Sequence, residues 1–198
     1  MKTVNVTLVG VGGQGIILTA DLLALTAAKA GLEIKKSEIH GMAQRGGSVM
    51  AQVRFGSDVA APVIGEGDSD VLVSFDKLEA VRSAHCLKAG GVALVNDAYL
   101  TPVTVSSGQQ RDVEDLDGRV RSIPGLKLIA ADAIAQDEIG NARTANMVLA
   151  GALSASCPFD VALWHEAMAE LLAGPKAKLL DINRRAFDRG RAAAEALS

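Results

Sequence analysis

The chain is poor in the residues that staple small folds together or hold metals. Cysteine occurs twice, at Cys86 and Cys157, in 198 residues. That is too few for a disulfide framework and short of the about four thiolates an iron–sulfur cluster takes, so the chain is expected to bind no cluster of its own. Histidine occurs three times, at His40, His85 and His165, without HExxH or CxxC spacing, which gives a zinc site no support. Neither sign of charge dominates, with 20 Lys and Arg against 23 Asp and Glu, so there is no field to hold a polyanion; nucleic acid and anionic membrane are not expected partners. A long apolar span is missing too. The uncharged stretch from Thr3 to Ala20 is broken by Gly10, Gly12, Gly13 and Gly15 and contains Asn5 and Gln14, so it reads as strand, turn and helix rather than a membrane crossing. Met1-Lys2-Thr3 leads into that strand without a signal-type cleavage region, and a cytoplasmic protein is expected.

What the chain has is apolar residues, 49% of the total, enough to bury one core in one domain. Val4, Val6, Leu8 and Val9 form a β-branched run that ends at Gly10, and Ile16 to Ala30 follows as a helix interrupted only by Thr19, Asp21, Thr26 and Lys29. With so little wet face, that helix is expected to be deeply buried or covered by another chain. Ser48 to Phe55 alternates strictly, the period of a half-exposed strand, antiparallel or at an edge. The runs 70–75, 91–95 and 126–130 read as compact apolar strands, with a helical pattern over 76–88 between the first two. Such alternation implies a mostly parallel, Rossmann-like α/β sheet wrapped by helices. Asp76 with Glu79 fits a capping box, and Asp97 and Asp132 fit turns beyond strands. After Ala131 the chain reads as helical to its end, with stripes at Val161, Trp164, Ala167, Met168, Leu171 and Leu172 and, beyond the Gly174-Pro175 break, at Leu179, Ile182, Ala186, Ala193 and Leu197. Residues 106–118 read as an irregular surface excursion.

Gly10-Val11-Gly12-Gly13-Gln14-Gly15 satisfies GxGxxG between a strand and a helix, a context in which backbone N–H groups cradle a phosphate. The dinucleotide fingerprint also needs an acid about 20 residues on. Glu33 opens the following strand and Glu38 precedes a turn, and neither fits that place well. NAD binding, phosphate contact of another kind, and a turn that only permits close packing all remain open. The second feature is His40-Gly41-Met42-Ala43-Gln44-Arg45-Gly46-Gly47-Ser48, which sets Arg45 beside two glycines before the alternating strand. Arg45 offers donors suited to a carboxylate or phosphate, or ties down its own loop; His40 reads as a hydrogen-bonding loop residue. Cys86 and Cys157 read as buried small hydrophobes on helical stretches. No GxSxG, no Walker lysine and no carboxylate pair appears, so no catalytic residue is assigned.

These residues resemble a known family. The glycine turn with its apolar helix, then Gln44-Arg45-Gly46-Gly47 before a strand, then Arg143-Thr144-Ala145-Asn146-Met147-Val148 with Gly151-Ala152-Leu153, and Asn183-Arg184-Arg185-Ala186-Phe187 with Gly190, are similar to the gamma subunit or domain of the 2-oxoacid:ferredoxin oxidoreductases. The likeness covers nearly the whole chain and is greatest for the indolepyruvate, arylpyruvate-specific branch. It implies one gamma-type domain over residues 1–198. It also implies a complex that turns a 2-oxoacid, coenzyme A and oxidised ferredoxin into acyl-CoA, carbon dioxide and reduced ferredoxin. Thiamine diphosphate, magnesium and the iron–sulfur clusters would reside on a larger partner subunit. Gly12, Gly13, Gln14, Gly15 and Arg45 are then expected to line a surface for coenzyme A or for the partner. A pyruvate- or 2-oxoglutarate-specific gamma subunit, an assembly-only subunit and an independent NAD(P)-dependent dehydrogenase are the rival readings.

Overall fold

The computed structural model describes residues 1–41 and 46–197. Its strands are β1 (Val4–Val11), β2 (Glu33–His40), β3 (Ser48–Gly56), β4 (Ser69–Ser74), β5 (Leu87–Asn96) and β6 (Leu126–Ile129). They form one six-stranded sheet in the order β2-β3-β1-β4-β5-β6. β1, β4, β5 and β6 are successively parallel, while β3 runs antiparallel to both β1 and β2. The helices are α1 (Ile16–Lys29), α2 (Lys77–Ser83), α3 (Val103–Ser106), α4 (Leu116–Arg121), α5 (Ala131–Ala133), α6 (Ala145–Ser154), α7 (Val161–Leu171) and α8 (Leu180–Glu195).

The expected α/β sheet wrapped by helices is what the residues build. Val6, Leu8, Val53, Phe55, Val73 and Leu94 face α1, α6, α7 and α8 on one side. Ala93 and Val95 meet Ala80 of α2 and Val120 and Ile123 near α4 on the other. Burial on both faces is why β1, β4 and β5 read as continuous apolar runs. α1 buries Ile16, Ala20, Leu22, Leu23 and Ala27, and α7 packs along it, with Lys29 paired to Glu170 at 2.7 Å. Much of the cover expected for α1 therefore comes from this chain's own α7.

Three local readings change. β3 is antiparallel, as expected, and lies inside the sheet; what changes is its half-exposed face, which is partly roofed. Gln52 accepts from the Ile64 backbone N–H at 3.1 Å, and Arg54 donates to the carbonyls of Ala61 and Val63, so residues 57–64 fold over that side. The helix expected over 76–88 stops at Ser83, because Leu87 already pairs with Ser69 in the sheet. His40 closes β2 and is not a loop residue.

The last helices are fixed by close approach. A Cβ on Gly190 would lie 1.8 Å from the Val148 carbonyl oxygen, and one on Gly151 would lie 1.8 Å from that of Phe187. α6 and α8 therefore touch backbone to backbone. Trp164 packs edge-on to Phe159 and at a tilt to Phe187, at centroid distances of 6.2 and 5.6 Å, joining α7 to α8. Gly190→Ala forces these helices apart, and its denaturant midpoint is expected to fall by the equivalent of about 1–3 kcal/mol or more.

Candidate functional site

β1 ends at Gly10, whose missing side chain leaves room for Gln14 to fold back: a Cβ there would lie 2.8 Å from both Gln14 Oε1 and Phe75 Cβ. Gln14 Oε1 accepts from the Val11 backbone N–H at 2.7 Å, and its Nε2 donates to the Phe75 carbonyl at 3.2 Å. Gly13 and Gly15 take φ of 105° and 89°, a region that disfavours any side chain, and Gly15 starts α1. Gly12 N–H donates to the Gly47 carbonyl at 2.8 Å, which joins the two glycine motifs directly.

The carboxyl edge of the sheet is stitched further along. Asn96, at the end of β5, donates to the Phe75 carbonyl at 3.3 Å and to Asp132 Oδ2 at 2.9 Å, and it accepts from the Ala131 N–H at 3.1 Å. Asp76 caps α2 as expected, accepting from the N–H groups of Leu78 and Glu79. Glu79 is used differently from a capping-box acid. Only 4% exposed, it accepts from Ser48 Oγ at 2.6 Å and from Arg82 at 2.7 Å, tying the start of β3 to α2.

A cavity opens on each side of this edge, in the crevice where parallel α/β sheets take ligands. One, of about 140 Å³, is lined by Gly13, Gln14, Asn96, Asp132, Arg143 and Asn146, among others. The other, of about 190 Å³, is lined by Gly46, Ser48 and Glu79 together with Leu78, Leu100, Pro102 and Val103. Of the residues singled out in the sequence, Gly12, Gly13, Gln14 and Gly15 share the turn, and Arg45 lies outside the described residues. Arg143 and Asn146 were visible only as part of the family-like stretch, about 130 positions beyond the turn they meet.

The dinucleotide reading loses its acid. β3 lies between β1 and β2, with Glu38 opposite Ala51 and Ala51 opposite Leu8. Glu38 is thus two strand spacings, roughly 10 Å, from β1, and it pairs with Lys36 at 2.6 Å. Glu33 accepts from the Val59 N–H, which holds its carboxyl below the usual range. The thiols do not fit a cluster or a nucleophile. Cys86 sits in a 3₁₀ turn and Cys157 between α6 and α7, neither on an α-helix, and burial pushes the Cys157 thiol up to about 12. Among the described residues no group of His, Cys, Asp and Glu is arranged to hold a metal ion, and no helix is long and apolar enough to cross a membrane. The first cavity offers carboxamides, one arginine and one carboxylate, Asp132, beside the start of α1.

A Rossmann-like domain with a polar crevice at the carboxyl edge of its sheet is the class these observations define. The description of the pyruvate ferredoxin/flavodoxin oxidoreductase family matches residues 5–193, and the chain belongs to that family. It is 41% identical to the indolepyruvate oxidoreductase subunit IorB of Pyrococcus horikoshii, over 98% of each chain. The gamma subunit of a keto/oxoacid ferredoxin oxidoreductase from Geobacter sulfurreducens shares the fold, with a TM-score of 0.72 at 23% identity over 98% of this chain and 99% of that one. A 2-oxoglutarate:ferredoxin oxidoreductase from Magnetococcus marinus, solved with 2-oxoglutarate, coenzyme A and succinyl-CoA bound, matches with a TM-score of 0.74 at 27% identity. That match covers all of this chain and 32% of the other.

Gln14→Ala removes both partners of the turn and is expected to cost on the order of 1–3 kcal/mol of unfolding free energy, read by urea denaturation. A raised thiol pKa means less thiolate at pH 8, so Cys157 in the native protein is expected to react with a thiol reagent at least about a hundredfold more slowly than in denaturant.

Proposed function

We propose that this chain is the small, gamma-type subunit of an indolepyruvate, or arylpyruvate, ferredoxin oxidoreductase, with residues 1–198 as one domain. The complex oxidises a 2-oxoacid in the presence of coenzyme A, releasing carbon dioxide and passing two electrons to two ferredoxins as acyl-CoA forms. The reading is carried by the near full-length likeness to indolepyruvate oxidoreductase small subunits. It is supported by what the chain has little of, since two free and separate thiols, one buried and one half-buried, leave cluster ligation to another chain. Thiamine diphosphate, magnesium and the iron–sulfur clusters belong in this reading to a larger partner subunit, and the complex works in the cytoplasm. Neither nucleic acid nor membrane is a partner.

This chain's own contribution is to hold coenzyme A at the crevice and to dock on the partner. The glycine turn at the start of α1 presents backbone N–H groups to a phosphate, and Arg45 adds a cation from the second motif. Gln14 acts through the turn, its carboxamide being committed to Val11 and Phe75. The bound coenzyme A of the Magnetococcus marinus relative supports this assignment.

The test is to tag the chain, purify it without oxygen from its native host, and record subunit content, visible spectrum and turnover. A larger brown chain should co-purify, with ferredoxin reduction that requires both coenzyme A and indolepyruvate; preference for pyruvate or 2-oxoglutarate would move the protein to a sister branch. A colourless lone chain that binds NAD(H) would overturn the reading. Arg45→Ala is expected to raise the KM for coenzyme A in the assembled complex.

A further inference from the structure

A groove of about 290 Å³ lies among Leu18 of α1, Leu172 just past α7, Ile182 of α8 and the 3₁₀ turn Gly174–Leu179. It shares only Arg143 and Asn146 with the polar cavity and none of the glycine turn. Its lining is aliphatic at Leu18, Leu172, Leu179 and Ile182. The 3₁₀ turn buries none of its own side chains: residues 173–179 are all exposed, Leu179 to 40%. A turn that gives nothing to the core, yet carries a leucine beside an aliphatic groove, leaves apolar surface for another molecule to cover.

Charge narrows the choice of occupant. The charged residues that line the groove are Arg143 and Lys176, and Lys178 stands two residues on in the same turn. No Asp or Glu lines it, and Asp181, the acid closest to Lys178 along the chain, is not among its lining residues. All three cations are exposed, and none has an ion pair among the described residues. Elsewhere Lys29, Lys36, Lys77 and Lys88 each meet an acid. In a chain of net charge -3, three unanswered cations around one aliphatic groove reverse the sign locally. Neighbouring polar groups are already used, Asn183 Nδ2 donating to the Leu179 carbonyl at 2.7 Å and Thr144 Oγ1 to the Asn141 carbonyl at 2.8 Å. What is left to satisfy is apolar area and positive charge, and an amphipathic acidic segment supplies both, with leucine-like side chains in the groove and carboxylates on its rim. We infer that this groove docks an acidic, leucine- or isoleucine-bearing segment of the larger partner subunit. Leu18, Leu179 and Ile182 take its apolar side chains, and Arg143, Lys176 and Lys178 its carboxylates. The inference rests on the subunit reading above and says where, and by what chemistry, that subunit is held.

The purified complex tests it in two ways. Lys176→p-benzoylphenylalanine and Leu179→p-benzoylphenylalanine, both at exposed positions, are irradiated in the assembled complex and the joined peptides identified by mass spectrometry. Both should join one segment of the larger subunit that carries Asp or Glu close to Leu or Ile. A crosslink to ferredoxin, to a second copy of this chain or to a basic segment overturns the inference, as does the absence of any crosslink from both positions. Separately, Lys176→Glu combined with Lys178→Glu should weaken association with the larger subunit at least about tenfold at low salt and flatten its salt dependence, a response that a merely structural role would not give. Lys2→Glu, exposed ahead of β1 at the amino edge of the sheet, should change neither. Unaltered association in the double variant overturns the inference. If no larger subunit accompanies the unaltered chain, the subunit reading falls and the inference with it. If the larger subunit accompanies it while the groove neither crosslinks to it nor responds to charge reversal, the inference alone falls.

Discussion

The carbonyl oxygen of Phe75 accepts from Gln14 on one side and Asn96 on the other, and the carboxyl edge of the sheet depends on that sharing. Where parallel strands end, their last backbone groups run out of ladder partners, and a ligand crevice keeps the following loops from closing over them. Here two carboxamides finish the ladder. Gln14 links the end of β1 to the end of β4, and Asn96 carries the link to the residues after β6. Other local choices follow from this one. Gly10 lacks a side chain so that Gln14 fits, and Gly13 takes the backbone turn that sends Gln14 back toward β1.

The same stitching separates two environments. Gly13 and Gln14 line the polar cavity with Asn146 and Arg143, whereas Gly46 and Ser48 line the other with Leu78, Leu100 and Val103. The two glycine motifs are bonded to each other through Gly12 and Gly47, yet they serve different cavities. A single ligand that used both would have to cross the end of β1. An extended molecule with a charged end and an apolar end has that shape, and a compact anion does not. The apolar lining of the second cavity, beside a buried Glu79 already satisfied by Ser48 and Arg82, offers contact area and not a charge to neutralise.

How much of this was legible in the sequence depends on distance along the chain. Strands β1, β4 and β5, the α1 turn and the Asp76 cap are written in residues a few positions apart, and periodicity and turn chemistry reveal them. The place of β3 was not, because its alternating pattern is the same for an edge strand and for an inner strand roofed by residues 57–64. Nothing local shows that the Gln14 carboxamide reaches Phe75, 61 residues away, while Gln14 also lines the polar cavity. Asn146 was readable only as part of a family-like stretch. Its contact with Gly15 belongs to tertiary packing, as does the meeting of Gly151 with the backbone of α8.

α6 is where that packing and the site become one problem. Its middle is held against α8 by Gly151 and Gly190, and its first turn is held against α1 by the absence of a side chain on Gly15. Residues from Asn146 to Ser154 are all buried, so the helix can neither slide nor rotate without opening the core. A side chain carried on such an element, as Asn146 is, is set in place by the fold itself, with little conformational freedom left to lose. That suits the holding role proposed for this chain. If the reacting groups lie on another chain, the most this chain can add is a fixed position for one end of a shared substrate, and rigidity at α6 is how the sequence provides it.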